Sequence, residues 1–153
     1  MKKTKLPPIL NVEEVEDMYN KPLELLPADR LYYLASPYTG NTSSKRMNKK
    51  IEKQRLIEIT RLAAKLHKKY NLPLITPITS SAAIRDADPT INHTWDEWQH
   101  VDTVLVEKSD VLLIAMMPGV HMSRGVTSEI QIAKRKSIPI LCIDPLTLAV
   151  WKY

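Results

Sequence analysis

The stretch Ser109-Asp110-Val111-Leu112-Leu113-Ile114-Ala115-Met116 places a continuous apolar run directly after a polar pair. A strand with one exposed face alternates polar and apolar side chains, whereas a run that is apolar throughout is typical of a strand covered on both faces. Residues 111–116 therefore predict an interior strand of a parallel sheet. Pro118-Gly119 then turns the chain toward a helix that we expect over residues 123–136.

Apolar runs of the same kind occur on both sides of this strand. They cover residues 31–35, 72–75 and 138–143, and each is followed two residues later by a proline. Proline has no backbone N–H to give to a sheet, so it is a natural stop for an interior strand. These runs predict three further strands.

Helical patterns separate the runs. Apolar residues recur at spacings of three and four within residues 45–70, which indicates an amphipathic helix. A polar, Asp-rich loop through residues 86–89 is expected to lead into a helix over residues 95–108, with Thr94 as N-cap and Glu97 at the capping-box position. Strands that alternate with helices predict a small, doubly wound α/β domain with a parallel sheet and helices on both faces.

The fold class indicates where to search for a ligand. In open parallel sheets, ligands bind beyond the carboxyl ends of the strands. Here that edge is formed by the loops at residues 36–39, 76–79 and 117–123, and we expect the functional site to lie among them.

Composition limits the classes of protein to consider. A chain of 153 residues with 44% hydrophobic content fits one domain, and 22 Lys and Arg against 17 Asp and Glu give a net charge of +5. That excess suits an anionic small molecule, whereas a nucleic-acid partner is not favoured because Phe is absent and no basic stripe carries interleaved aromatics. Without a membrane-length apolar stretch or a signal-peptide core, we expect a cytoplasmic protein that does not enter membranes.

Cysteine and histidine give no sign of a metal or redox centre. Cys142 is the only cysteine and lies within the apolar run 138–143, where it reads as a small buried residue. The histidines at positions 67, 93, 100 and 121 lack metal-ligand spacing. The chain also has only three glycines and no glycine-rich phosphate loop, so we expect neither a metal nor a cofactor.

Residues 1–29 differ in character from the rest of the chain. They contain several prolines and an acidic segment over residues 12–19, which we interpret as an appended arm with one short helix. The α/β domain then covers residues 30–153. Such an arm is suited to docking a partner protein or a neighbouring subunit.

Two acidic residues fall on the apolar faces of their predicted helices. Asp102 lies four residues after Trp98, and Glu129 lies three residues after Val126. A carboxylate in such a position must be paired, bind a ligand or have a shifted pKa. The alternative is that the helix phase is misread by one residue and that both acids are solvated surface groups.

Ser123-Arg124-Gly125 opens the second of these helices. The free backbone N–H groups at a helix start make a site for a phosphate or carboxylate, and Gly125 permits close approach of a ligand. The alternative for Ser123 is an ordinary N-cap.

Together, these segments resemble the nucleoside 2-deoxyribosyltransferase superfamily, and most closely its small uncharacterised bacterial and phage branch. The resemblance is carried by Tyr33-Leu34-Ala35-Ser36-Pro37-Tyr38, by the helix from Trp95 to Asp102, and by Ser123-Arg124-Gly125-Val126-Thr127-Ser128-Glu129-Ile130. It runs collinearly over residues 31–143. It implies a flavodoxin-like fold, assemblies built on homodimers, and a small-molecule nucleoside or nucleotide as ligand.

The resemblance also implies catalytic roles. Glu129 matches the carboxylate that attacks C1′ of the sugar, and Asp102 matches the acid that assists departure of the base. Ser123 stands where the 5′-monophosphate N-glycosidases carry a phosphate-contacting Ser and the transferases often carry an acid. The expected reaction is hydrolysis of the N-glycosidic bond of a nucleoside or deoxynucleoside 5′-monophosphate through a covalent glycosyl-enzyme intermediate. The alternatives are base exchange by a deoxyribosyltransferase and a non-catalytic nucleotide-sensing domain.

The loop after the first predicted strand, residues 36–39, differs from that of the 5′-monophosphate N-glycosidases. Ser36 matches a phosphate-contacting Ser, but Pro37 and Tyr38 stand where those enzymes carry a Gly- and Arg-containing loop. We expect Arg124 or the Lys45-Arg46 pair to compensate for the missing arginine. The predicted substrate-binding residues are Ser36, Tyr38, Ser123, Arg124 and Gly125.

Overall fold

A computed structural model describes residues 26–153, which contain a single five-stranded sheet. The strands are β1 (Tyr32–Ala35), β2 (Leu74–Ile75), β3 (Val111–Ala115), β4 (Ile140–Ile143) and β5 (Val150–Lys152). Their order across the sheet is β2-β1-β3-β4-β5. This is the flavodoxin-like strand order, with the switch point between β1 and β3.

Four α-helices accompany the sheet in the described part of the chain: α1 (Lys45–Tyr70), α2 (Pro77–Ala87), α3 (Trp95–Lys108) and α4 (Arg124–Arg135). The first two pack on one face of the sheet, and α3 and α4 cover the other. A short 3₁₀ turn, Val120–Met122, precedes α4. The predicted doubly wound α/β fold is therefore confirmed.

Strand alternation divides the interior into two cores. Tyr32 and Leu34 of β1 point into the core under α1, whereas Tyr33 and Ala35 point into the core under α3 and α4. All four are fully buried. Successive side chains of a strand face opposite sides of the sheet, so one short apolar run contributes to both cores.

Helix α1 follows the predicted residues 45–70. Ile59, Leu62 and Leu66 are its buried residues and recur at helical spacing. The Ser44 side chain caps its start by accepting the N–H of Met47, and Asn71 ends it in the left-handed region with φ 50°.

One of our expectations about secondary structure was wrong, and one strand was not predicted. The segment before Asp88, taken as part of a polar loop, forms helix α2, with Pro77 at its first position, where a missing N–H costs nothing. The C-terminal segment around Trp151 forms β5, which pairs antiparallel with β4, so the sheet is parallel except at this edge.

Smaller differences concern the ends of elements. The second strand is restricted to Leu74–Ile75 rather than residues 72–75, since Pro73 cannot donate to the ladder and contributes only its carbonyl to the N–H of Tyr32. Thr94 is the N-cap residue of α3, but its side chain makes no capping hydrogen bond.

The beginning of the described region packs against the domain. Leu26 is buried in the core under α1, and the carbonyl of Pro27 accepts a hydrogen bond from the Tyr32 hydroxyl at 2.9 Å. The predicted short helix of the arm lies outside the described residues. None of the helices in residues 26–153 combines the length and apolar character required to cross a membrane.

Candidate active site

A cavity of about 370 Å³ lies at the carboxyl ends of β1 and β2, beside the start of α4. This size falls within the range of roughly 300–1,000 Å³ typical of small-molecule sites. Its walls come from the three loop regions expected from the sequence, together with α2 and the starts of α3 and α4. The structure brings all seven predicted site residues to this cavity, namely Ser36, Tyr38, Asp102, Ser123, Arg124, Gly125 and Glu129.

Glu129 is a buried carboxylate at the cavity wall. It is only 5% exposed and lies on the apolar face of α4 with Val126 and Ala133, so the alternative of a solvated Glu129 is wrong. No Lys, Arg or His within residues 26–153 comes within ion-pair distance of it. Its hydrogen-bond partner is the Tyr33 hydroxyl, which donates to Oε1 at 2.6 Å.

Tyr33 is a functional candidate that the sequence analysis missed. It is fully buried in the middle of β1, where its hydroxyl reaches from the sheet to α4. In a strand run that is otherwise apolar, an aromatic ring is typical of the core, so the sequence does not indicate a functional role for Tyr33. The available signal was the hydroxyl itself, because a buried tyrosine usually finds a polar partner.

Burial and the Tyr33 hydroxyl shift the pKa values of both carboxyls. Burial raises the pKa of Glu129 to about 8, with the hydrogen bond from Tyr33 opposing the rise and the charge of Asp102 adding to it. Burial raises the pKa of half-buried Asp102 to about 6, again opposed by hydrogen bonding to the Tyr33 hydroxyl. Between these values the pair holds one proton, which is the condition for one acid and one base to act together.

The start of α4 contributes donors to the cavity. The Ser123 oxygen accepts the N–H of Val126 at 3.3 Å, as an N-cap does, and its own O–H remains a donor. A Cβ added at Gly125 would lie 3.9 Å from the Ser123 hydroxyl and from the Trp95 ring, which is ordinary contact. The surrounding protein therefore does not require glycine here, whereas a ligand held close to the backbone would.

Ser36 offers a second hydroxyl at the end of β1. The residue is 6% exposed, and within residues 26–153 its Oγ has no hydrogen-bond partner. A buried hydroxyl without a partner is costly unless a ligand or water satisfies it.

The cations predicted to compensate for the first loop lie in different places. Arg124 lines the cavity but is exposed and pairs with Asp96 at 3.4 Å. Lys45 and Arg46 do not line it; with three further lysines of α1 they form a separate basic hollow, so the expectation for this pair was wrong.

Arg85, on the missed helix α2, lines the cavity instead. Its Nη2 donates to the Tyr38 hydroxyl at 2.9 Å, and its guanidinium carbon lies 5.2 Å from the centre of the Tyr38 ring. Its Nε is buried and has no hydrogen-bond partner in the described part of the chain. The residue was overlooked because the segment carrying it was taken for a loop.

Arg55 of α1 joins two loops at the carboxyl edge of the sheet. One guanidinium nitrogen donates to the carbonyls of Thr39 at 2.7 Å and Tyr38 at 3.3 Å, and the other donates to that of Pro118 at 3.0 Å. Gly119 follows with φ 88°, and a side chain there would collide with the same guanidinium. The loop that carries Tyr38 is thereby fixed relative to the loop after β3.

Histidine adds one polar group to the rim. His93 lines the cavity, and its Nε2 lies 3.8 Å from the Glu52 carboxylate, which also accepts the N–H of Gly40. No group of three or more His, Cys, Asp or Glu side chains among the described residues is arranged to hold a metal ion.

Comparison with known proteins places this cavity within one family region. Residues 30–144 match the family described as Domain of unknown function (DUF1937), and no curated protein matches the chain. The matched region includes strands β1 to β4 and every residue that lines the cavity. Because the match covers well over half of the chain, the chain belongs to the DUF1937 family of domains of unknown function.

Proposed function

We propose that this protein hydrolyses the N-glycosidic bond of a nucleoside or deoxynucleoside 5′-monophosphate. The observation that carries the proposal is the buried carboxyl of Glu129, hydrogen-bonded to the Tyr33 hydroxyl, with the half-buried carboxyl of Asp102 at the wall of the same cavity. The resemblance to the nucleoside 2-deoxyribosyltransferase superfamily supports the same assignment. Cleavage of a glycosidic bond through an oxocarbenium-like state uses two carboxyl groups in this way.

In the first step, the Glu129 carboxylate attacks C1′ and the bond from C1′ to the base nitrogen breaks. Asp102 gives its proton to the departing base, which leaves neutral. The product is an ester between Glu129 and the sugar phosphate.

In the second step, Asp102, now ionised, takes a proton from a water molecule that attacks C1′. The ester opens, Glu129 returns as a carboxylate, and the sugar 5-phosphate is released. Asp102 thus begins and ends the cycle protonated.

The proton must first leave Glu129. Because the pKa of Glu129, about 8, is higher than that of Asp102, about 6, the shared proton lies on Glu129 in the ligand-free protein. Positive charge that develops at C1′ favours ionised Glu129, so bound substrate shifts the proton toward Asp102. The Tyr33 hydroxyl donates to Glu129 at 2.6 Å and lies close enough to Asp102 to lower its pKa.

The 5′-phosphate is assigned to the start of α4. This helix end presents free N–H groups and the Ser123 hydroxyl, and the buried Ser36 Oγ supplies a further donor at the same cavity. The partly buried rings of Trp95 and Trp98 offer flat surfaces for the base and sugar.

The test is incubation of the protein with each ribo- and deoxyribonucleoside 5′-monophosphate, with and without a second free base, followed by chromatography. We expect release of free base and sugar 5-phosphate. Exchange into the second base without hydrolysis would instead identify a transferase. Nucleotide binding that raises the melting temperature without any product would identify a sensing domain.

Glu129→Gln is the decisive variant, because glutamine keeps the shape and cannot act as the nucleophile. We expect its turnover to fall below about one thousandth of wild type. Glu97→Gln is the matched control, since Glu97 is an exposed acid of α3 that does not line the cavity. Full activity in Glu129→Gln contradicts the assignment.

A further inference from the structure

We propose that Arg85 supplies the positive charge that recognises the substrate's 5′-phosphate, and that Tyr38 holds it in place. This inference rests on the proposed function and adds a residue from α2 to the phosphate site. It makes the phosphate a requirement for efficient binding.

The charge balance of the cavity is the first argument. Arg85 is half-buried, and none of the carboxylates in the described residues comes within ion-pair distance of it. Guanidinium remains protonated at all ordinary pH values and only donates hydrogen bonds. A partly buried cation in this situation calls for an anion rather than a neutral base.

The second argument concerns unsatisfied polar atoms. Three buried side-chain polar atoms lack a hydrogen-bond partner within residues 26–153, and two of them, Ser36 Oγ and Arg85 Nε, belong to residues that line this cavity. Both are donors, and a phosphate offers acceptor oxygens on every side. Ser36 and Arg85 therefore both have unused hydrogen-bonding capacity at the wall of this cavity.

Other cations near the cavity already have partners or lie elsewhere. Arg124 is exposed and pairs with Asp96, and His93 lies 3.8 Å from the Glu52 carboxylate. Lys45 and Arg46 belong to the separate basic hollow on α1. Arg85 is the remaining cation that lines the cavity in the described part of the chain.

Tyr38 explains how an arginine from α2 can replace one from the first loop. Its hydroxyl accepts from Arg85 Nη2 at 2.9 Å while its ring lies beneath the guanidinium, 5.2 Å from centre to carbon. The first loop therefore contributes a support for the cation instead of the cation itself. Cation–π contact and hydrogen bond together restrict the guanidinium to one orientation.

The test compares each nucleoside 5′-monophosphate with the nucleoside of the same base and sugar. In Arg85→Gln we expect KM for the monophosphate to rise about 10- to 100-fold, the range for loss of a charged hydrogen bond. kcat should stay within a few-fold, and kcat/KM for the nucleoside should fall much less than that for the monophosphate. Arg85→Lys should recover part of the monophosphate affinity, and Arg46→Gln, with the same loss of charge, should behave as wild type.

Equal losses for nucleoside and monophosphate would overturn the inference, because Arg85 would then bind the base or support the fold. A loss in Arg46→Gln but not in Arg85→Gln would overturn it as well.

A binding measurement separates this inference from the proposed function. Inorganic phosphate and each nucleoside monophosphate are titrated into Glu129→Gln protein while the melting temperature is followed. We expect the ligand to raise the melting temperature of Glu129→Gln protein and to have no such effect on the double variant Glu129→Gln/Arg85→Gln. Arg85-dependent binding by a wild-type protein that releases no base would sustain the inference and refute the proposed function. Base release without any Arg85-dependent phosphate effect would do the reverse.

Discussion

Tyr32 and Tyr33 are neighbours in β1, equally buried, and point to opposite faces of one sheet. The Tyr32 hydroxyl donates to the Pro27 carbonyl at 2.9 Å and ties the start of the described chain to the domain. The Tyr33 hydroxyl donates to the Glu129 carboxylate at 2.6 Å. Identical side chains at adjacent positions thus serve the fold on one face and the candidate site on the other.

The difference lies in what each core contains. The core under α1 is built from apolar side chains, whereas the core under α3 and α4 admits the buried carboxyl of Glu129 at its edge. A buried carboxyl in such a position lowers the stability of the fold when it ionises. The protein should therefore have a lower unfolding free energy, when Glu129 is ionised, than it would have with a neutral side chain at this position.

The two tyrosines form a matched pair for mutation, and this comparison carries the largest expected effect. Tyr33→Phe removes the hydrogen bond to Glu129 without removing the ring, and kcat/KM for base release should fall about 10- to 100-fold. Tyr32→Phe should keep wild-type activity and lose about 1 kcal/mol of unfolding free energy. Equal activity in both variants would show that the two faces do not differ in function.

Stability against pH gives the next effect. Because burial raises the pKa of Glu129 from 4.5 to about 8, the folded state binds this proton more tightly than the unfolded chain within that window. The stability that this proton contributes is full below about pH 4.5 and is lost as the pH rises through about 8. Glu129→Gln should therefore be more stable than wild type at pH 9, by up to about 5 kcal/mol at about 1.4 kcal/mol per pKa unit, and similar to it near pH 4.5.

Thermal melts of wild type, Glu129→Gln and Glu97→Gln across this pH range check the expectation. The exposed Glu97 controls for the loss of one negative charge. A constant difference between Glu129→Gln and wild type at every pH would mean that Glu129 does not titrate in the folded protein.

The pH dependence of catalysis should change by a smaller amount. Activity requires one protonated and one ionised carboxyl, so kcat/KM should be highest between about pH 6 and 8. The Tyr33 hydrogen bond lowers the pKa of both groups, and its loss in Tyr33→Phe should move the acidic limb to higher pH. The substrate phosphate titrates alike in both proteins, so an unchanged limb would exclude the role of Tyr33.

Gly125→Ala should have the smallest effect on stability. Alanine has the higher helix propensity and meets only ordinary contacts here, so unfolding free energy should rise by at most about 1 kcal/mol. KM should rise nevertheless, because the added methyl group stands where a ligand approaches the backbone. A variant that is more stable and equally active would remove Gly125 from the binding site.

The sequence predicted the interior of this fold better than its edges. Continuous apolar runs identified β1 to β4, with β2 shorter than the predicted run 72–75, because a strand buried on both faces carries mainly apolar side chains. The edge strand β5 has only three residues and no such run, and it returns from β4 through residues 144–149 instead of through a helix. Helix α2 was missed because a proline is common both after the end of a strand and at the first position of a helix, so Pro77 does not distinguish the two.

The same contrast applies to the candidate site. Glu129 and Asp102 were found because a carboxyl on an apolar helix face conflicts with its surroundings. Tyr33 is an ordinary residue for a buried strand, so its sequence position gives no warning of a functional role. Only the three-dimensional structure shows that its hydroxyl donates a hydrogen bond to Glu129. Arg85 depended on a helix that the pattern did not reveal, so its contact with Tyr38 across 47 positions was beyond prediction.

The contact between Arg55 and the loop after β3 has a consequence for how this family can diverge. The guanidinium occupies the space that a side chain at position 119 would need, and the backbone there has a φ of 88°. Relatives that keep the arginine should therefore keep the glycine, whereas a shorter residue at position 55 removes the collision but not the backbone preference for glycine. Replacement of both residues should therefore mark subgroups in which the loop after β3 has a different backbone and is no longer joined to the loop after β1.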